Sequence, residues 1–295
     1  MLSRIYVRMT TSGRFILGLL GMLLLLTGCS NKMVYNHLDW VVMEYIDDYV
    51  TLTDEQEELV EERLDVLLQW HRESELPIYL SQLQLLSTLT ETQLSKPFLA
   101  AQREALIQHR YRIAQKLAPD LYALALSLSQ AQQDELLKNM AKAHRKRDEK
   151  YADLNEKEIR ERYQEFFIEG VEEWLGELTP AQQALIKQWS QEVTITTADW
   201  RAYRAALRQA VEELFKHKQD PHYFQQHLTR LLLDPESYHG DAFKQKLQSN
   251  VDLADGYILQ IARSMNAAQW RHFHREISDW RELASELHAQ VIANR

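Results

Sequence analysis

Glycine is scarce. Of the eight glycines in 295 residues, Gly13, Gly18, Gly21 and Gly28 fall at the start, leaving Gly170, Gly176, Gly240 and Gly256 for everything else. A phosphate-cradling loop, a dinucleotide-binding turn and a nucleophile elbow all need clustered glycines, where backbone approaches a ligand or takes positive φ. The common nucleotide and hydrolase chemistries therefore have nothing to build on. Cysteine occurs once, at Cys29, so an intrachain disulfide is excluded. Runs of alternating apolar residues are missing too, with Val193 to Thr197 the only short β-leaning patch. Positive charge is in deficit: 43 acidic residues face 34 basic ones, a formal charge of −9, which gives no global attraction for nucleic acid. What is plentiful is core-forming and charged residues together, at 45% and 26%, the profile of a folded chain.

The first 28 residues read as an address. Arg4, Arg8 and Arg14 make a positive start with no acidic residue, and Phe15 to Leu26 is an apolar run too short for a permanent membrane helix. The run ends in Leu26-Thr27-Gly28-Cys29. This resembles the lipobox of bacterial lipoproteins, which implies removal of residues 1–28 and lipidation of Cys29. Ser30, rather than an aspartate, follows the cysteine; the resemblance then implies the outer membrane, facing the periplasm. Cleavage removes three arginines and moves the formal charge to −12. A lipidated Cys29 leaves no thiol for catalysis. Residues 29–33 form a tether whose four residues after the cysteine reach about 14 Å at most.

The remainder reads as helix. Leu38, Val41, Val42, Tyr45, Ile46 and Tyr49 follow one helical stripe, and Val60, Leu64, Leu67, Leu68 and His71 form a second. Pro77 is expected to kink or end that second helix. Ile159, Tyr163, Phe166, Phe167, Val171 and Trp174 make another stripe, as do Leu247, Val251, Ala254, Ile258, Ile261 and Met265. The last helix is the most regular, with Trp270, Phe273, Ile277, Trp280, Ala284, Leu287 and Val291 spaced by threes and fours. Such a seam wants a facing helix, from this chain or from a second copy. The fold class is an all-α multi-helix bundle.

One short pattern recurs: Leu52-Thr53…Gln56, Leu89-Thr90…Gln93, Leu128-Ser129…Gln132 and Leu178-Thr179…Gln182, with a looser copy at Met265-Asn266…Gln269. Each is a capping box, in which the Thr, Ser or Asn side chain accepts from the backbone and the glutamine reaches back to the cap's own N–H. Pro180 stands at the first helical position, where its missing N–H costs nothing. The pattern is also similar to the LTxxQ motif of Spy-type periplasmic chaperones, smaller helical cradles that hold unfolded clients. A broader resemblance runs from Tyr35 through Leu38-Asp39-Trp40, the first box, Trp70-His71-Arg72 and Glu75-Leu76-Pro77 to the Leu178 box and the tryptophan-rich end. These stretches look like an uncharacterised family of gammaproteobacterial lipoproteins, a domain of unknown function; the resemblance implies a compartment and a helical fold, but no activity.

The boxes at Leu52 and Leu128, and those at Leu178 and Met265, stand at comparable spacings, while the Leu89 copy has no evident mate. That raises a duplication, with an N-terminal helical half over 34–157 and a C-terminal half over 158–295.

Chemistry is sparse. None of the eleven histidines lies in an H-E-x-x-H spacing. His272 and His274 should point about 200° apart on a helix. His217, His222 and His227 straddle Pro221, which should break any common face. His71 lies on its helix's apolar stripe and reads first as a hydrogen-bonded core histidine. No pair of carboxylates stands out as acid and base, so no catalytic residue, metal site or cofactor is assigned. Lys138 to Lys150 is a basic run in an acidic chain, with Lys142, Arg145, Lys146 and Arg147 open to two readings. It is a solvated helix face, or an electropositive surface for lipid headgroups or acidic clients. The aromatic side chains should mostly be core, while a few on a concave face would suit apolar segments. The sequence thus points to a non-enzymatic, membrane-tethered binding protein of chaperone or envelope-assembly type, with protein clients and no nucleic acid. A structural or adaptor subunit of an envelope complex is the alternative. Oligomeric state stays open.

Overall fold

The computed structural model describes residue 35 and residues 37–293, the last three as backbone alone. The leader, Cys29 and the tether lie outside the described residues. In chain order, α1 (Leu38–Asp47) and α2 (Asp54–Trp70) are followed by a π turn over His71–Glu75 and by α3 (Leu76–Ser87). A 3₁₀ turn (Glu91–Gln93) precedes α4 (Lys96–Ser127) and α5 (Gln130–Ala152). The chain continues through α6 (Glu156–Leu175), α7 (Pro180–Glu192), α8 (Thr197–Lys216) and α9 (Pro221–Leu233). A second 3₁₀ turn (Pro235–Tyr238) leads to α10 (Asp241–Arg263) and α11 (Ala267–Ala293). Among the described residues there is no strand, and the all-α bundle is what the helical spacing requires. The β-leaning patch is an irregular connection into α8, with Val193 and Thr196 buried. No described helix is long and apolar enough to cross a membrane.

Pro77 leaves a local signature. α2 stops at Trp70, the next five residues widen into a π turn, and Pro77 then sits in the first turn of α3, where it lacks only an unneeded donor. Pro119 is different. It lies inside α4, which runs on through it.

The chain divides into two compact units. Unit 1 takes residues up to 71 with 107–150 and 197–240, and unit 2 takes 72–106, 151–196 and 241–295. The units are set by contact and the halves 34–157 and 158–295 by sequence; each unit draws on both halves.

In unit 1, Val50, Leu52 and Leu128 are buried together, with Met43, Ile46, Val60, Leu124, Leu136 and Phe215 packed around them. A second cluster joins Ile113 and Ala114 to Trp70, Leu117 and Leu233. In unit 2, Leu175, Leu178, Ile186 and Ile261 form the centre. Ile186 is fully enclosed; a side chain so buried contributes about 1.5–3 kcal/mol. The C-terminal seam finds its facing helix inside this unit. α11 lies chiefly against α3, with α6 as a second neighbour, and Ile277, Ala284 and Leu287 are buried there.

Candidate functional site

Two features concentrate the polar and apolar specificity of the molecule, beginning with the capping boxes. In unit 1, Thr53 N–H donates to Gln56 Oε1 at 3.0 Å while Gln56 N–H donates to Thr53 Oγ1 at 3.4 Å. Ser129 and Gln132 exchange the same pair of bonds at the start of α5, at 2.9 and 3.3 Å. Capping uses only half of each glutamine amide. Gln56 Nε2 donates to Gln132 Oε1 (3.4 Å) and to Ser127 Oγ (3.0 Å). Gln132 Nε2 donates to Gln56 Oε1 (2.6 Å) and to the Thr51 carbonyl (2.9 Å).

Unit 2 repeats the arrangement atom for atom. Thr179 and Gln182 cap α7 at 2.9 and 3.3 Å, and Asn266 and Gln269 cap α11 at 3.1 and 3.0 Å. Gln182 Nε2 donates to Gln269 Oε1 (3.0 Å) and Ser264 Oγ (3.2 Å). Gln269 Nε2 donates to Gln182 Oε1 (2.8 Å) and the Glu177 carbonyl (3.0 Å). An amide offers two donors and two lone pairs, and here both donors and both acceptor positions are used. This is why burial is tolerated: Gln182 is 0% and Gln269 2% exposed. Glutamate at either place would keep the cap and lose the crossing bonds that its own Nε2 donates. The boxes are therefore helix starts and also latches that join two helix tips.

The copy at Leu89 is built otherwise. Gln93 Oε1 accepts from Thr90 N–H (2.8 Å) and from Thr90 Oγ1 (2.9 Å), and all three residues from Thr90 to Thr92 are exposed. Its Leu89 carbonyl accepts instead from His274 Nε2 at 3.0 Å, and its Leu89 side chain is buried.

That buried leucine faces the second feature, an apolar cleft of about 520 Å³ within unit 2 that is partly open to solvent, inside the range of roughly 300–1,000 Å³ for small-molecule sites. Its walls come from the end of α3, the Leu89 loop, the first turns of α4, and faces of α6, α7, α10 and α11. Gln102 contributes the one polar side chain among the lining residues, and its Oε1 accepts from Gln82 at 3.0 Å. Trp189 meets Phe167 edge-on at 4.5 Å, and Trp270 meets Phe273 edge-on at 6.1 Å, the geometry aromatic pairs prefer. Phe166 and Trp174, also in the lining, are 63% and 37% exposed. The α6 stripe is thus not all core: its Phe166 and Trp174 face solvent where the spacing suggested packing. Gly170 lies between them, and a Cβ there would meet nothing within 4 Å.

The walls are pinned by an ion pair. Arg103 on α4 grips both oxygens of Asp255 on α10 at 2.8 and 2.9 Å, with Asp255 4% exposed. The two-pronged guanidinium gives a buried carboxylate the partner it would otherwise lack. At the far end of α6, Gly176 takes φ +72°, and the His272 ring lies 3.5 Å from where its Cβ would stand. The positive φ is what calls for glycine there, since 3.5 Å is an ordinary contact distance.

The remaining candidates separate. Lys142, Arg145 and Lys146 are exposed, and Arg145 pairs with Glu149 at 3.7 Å. Within the same run His144 is buried beside Arg208 (3.0 Å), and Asp148 binds Arg204 and Arg201. The basic stretch is therefore split between a solvated side and a side packed into unit 1. Burial, then Arg208, Arg147 and Arg204, pull His144 down to about 4, with Asp148 opposing. His71 is a core histidine, its Nδ1 2.9 Å from the Tyr35 hydroxyl. His272 and His274 diverge, toward the Glu173 and Leu89 carbonyls. His217 and His227 each pack a ring against Tyr223, at 4.3 and 3.7 Å. The chain turns over 217–220, and Pro221 opens α9. Among the described residues no three His, Cys, Asp or Glu side chains gather as metal ligands.

The family model that matches residues 48–244 is described as a family of unknown function (DUF6279). The chain belongs to that family. The match covers the boxes at Leu52, Leu89, Leu128 and Leu178 but stops before α11. No protein of curated function and no solved structure matches the chain.

Proposed function

We propose that this DUF6279 chain is a non-enzymatic binding protein of chaperone or envelope-assembly type. In this reading it is lipid-anchored through Cys29 to the outer membrane of a gammaproteobacterium and faces the periplasm. The observation that carries the binding role is the unit 2 cavity, with one polar side chain among its lining residues and Phe166 and Trp174 exposed. Exposed aromatic surface next to a large apolar hollow costs solubility and is kept where something binds. The anchor rests on the positive leader, the short apolar run and the Leu26-Thr27-Gly28-Cys29 ending. Likeness to LTxxQ chaperones rests on the four close boxes and the Asn266 copy, all of which except the Leu89 box act as latches here.

The test uses the full chain in nanodiscs, titrated against an aggregating apolar client and followed by light scattering. An acidic helical protein of similar size is the control. Suppression near stoichiometry, lost when Gly170→Trp fills the cavity, supports the reading. Scattering unchanged from the control contradicts it and favours a structural adaptor with one fixed partner.

A further inference from the structure

The geometry points to a single long acyl chain as the guest of the unit 2 cavity, presented by a single-chain lipid. This inference rests on the binding role proposed above and names its ligand. Three guests are apolar enough to consider, and the dimensions and chemistry of the cavity separate them.

An amphipathic helix enters this open cleft only in part. One turn, 5.4 Å long and about 10 Å across, already takes roughly 400 Å³, so a cavity of about 520 Å³ holds little more than a turn. An extended peptide fits by width but brings an N–H and a C=O with every residue. The lining offers them the Gln102 amide, whose oxygen already accepts from Gln82, and the indole N–H groups of Trp174, Trp189 and Trp270, of which Trp189 Nε1 is buried without a partner; these are too few for a backbone whose buried unmet groups each cost about 1–3 kcal/mol. A hydrocarbon chain brings no polar group at all. Length agrees as well: a 150 Å³ apolar cavity takes one benzene, so 520 Å³ has room for about twenty carbons. That is one acyl chain and not two.

Gly170 is the second observation. It stands inside α6, where glycine weakens a helix by about 1 kcal/mol against alanine, yet a Cβ there would touch nothing within 4 Å. No local packing demands it. Its effect is to keep one wall of the cavity without a side chain. Gly256 on α10 has equally open surroundings but lies off the lining, which makes it a control. With no charged side chain in the lining, the headgroup of the lipid stays outside and contributes little.

The experiment uses the full chain in nanodiscs and a photoreactive palmitic acid, with labelled peptides mapped by mass spectrometry. Label is expected on α6 and α10 segments containing Phe166 and Ile258. Competitors of increasing length should gain roughly fourfold per methylene up to about eighteen carbons. Palmitic acid, hexadecanol and a palmitoyl lysophospholipid should compete within a few-fold of one another, whatever their head. A strong dependence on the head would overturn the proposal. Gly170→Trp and Ile258→Trp should abolish labelling while Gly256→Trp leaves it unchanged, with thermal melts showing which variants fold. Labelling that survives in folded Gly170→Trp and Ile258→Trp chains also overturns it. A photoreactive apolar peptide runs in parallel. If the peptide labels the cavity and the lipid does not, the acyl-chain inference fails and the binding role stands. If neither labels it, both fail.

Discussion

Units 1 and 2 close their helix tips with the same set of bonds and then use the space around them differently. In both, two glutamines cap their own helices through Oε1 and cross to each other through Nε2, with a serine hydroxyl and a backbone carbonyl as the further acceptors. Beyond the latch, the helix that follows in unit 1 buries His144 next to Arg208 and ties Asp148 to Arg204. The corresponding helix in unit 2 sends Trp270 and Phe273 into an apolar cavity. A shared latch with unlike surroundings teaches that the boxes are architecture. Whatever distinguishes this protein's activity is to be sought in what unit 2 leaves unfilled.

The largest effect should come from breaking the latch. Gln182→Glu removes two crossing donors and strands a carboxylate at a fully buried position. We expect a loss of about 3 kcal/mol or more in chemical denaturation. Gln56→Glu, at an 8% exposed site, should cost somewhat less, and Gln93→Glu, in the unpaired box, no more than about 0.5 kcal/mol. Equal costs at all three sites would mean that capping alone accounts for the motif.

Next comes the cavity wall. Arg103→Ala leaves Asp255 buried without its partner and should cost about 2–3 kcal/mol in unit 2. Arg103→Lys should recover only part of it, because an ammonium cannot reproduce the two-pronged contact.

A smaller effect belongs to unit 1. His144 is held neutral in the fold, at about 4, below the 6.5 of an exposed histidine. The unfolded chain therefore binds the extra proton first. The favourable contribution is complete above pH 6.5 and is lost as pH falls toward 4, by up to about 2 kcal/mol. Melting curves between pH 7 and pH 4 should show this slope, and His144→Gln should flatten it. An unchanged slope in the variant would assign the acid sensitivity elsewhere.

Much of the fold was legible because its determinants are local. A threonine, serine or asparagine with a glutamine three residues on starts a helix by its own bonds, and Thr53, Ser129, Thr179 and Asn266 all do so. Spacing set the Leu52 and Leu128 boxes and the Leu178 and Met265 boxes at comparable intervals, but that their glutamines meet is visible only in the structure. The cavity was not legible. Phe166, Phe167, Val171 and Trp174 have the same helical spacing whether they pack against a neighbour or surround a hollow, since periodicity fixes a face and says nothing of what fills it. The one trace was Gly170 in the middle of that stripe.

The most direct test of the account follows the tryptophans in the unaltered sequence. With 5-fluorotryptophan incorporated, the seven tryptophans give separate fluorine signals, assigned by single Trp→Phe changes, and palmitic acid is titrated in. The account predicts saturable shifts for Trp174, Trp189 and Trp270, which line the unit 2 cavity, and none for Trp40 and Trp200 in unit 1. Uniform shifts across both units, or no shift at the three cavity positions, would contradict it.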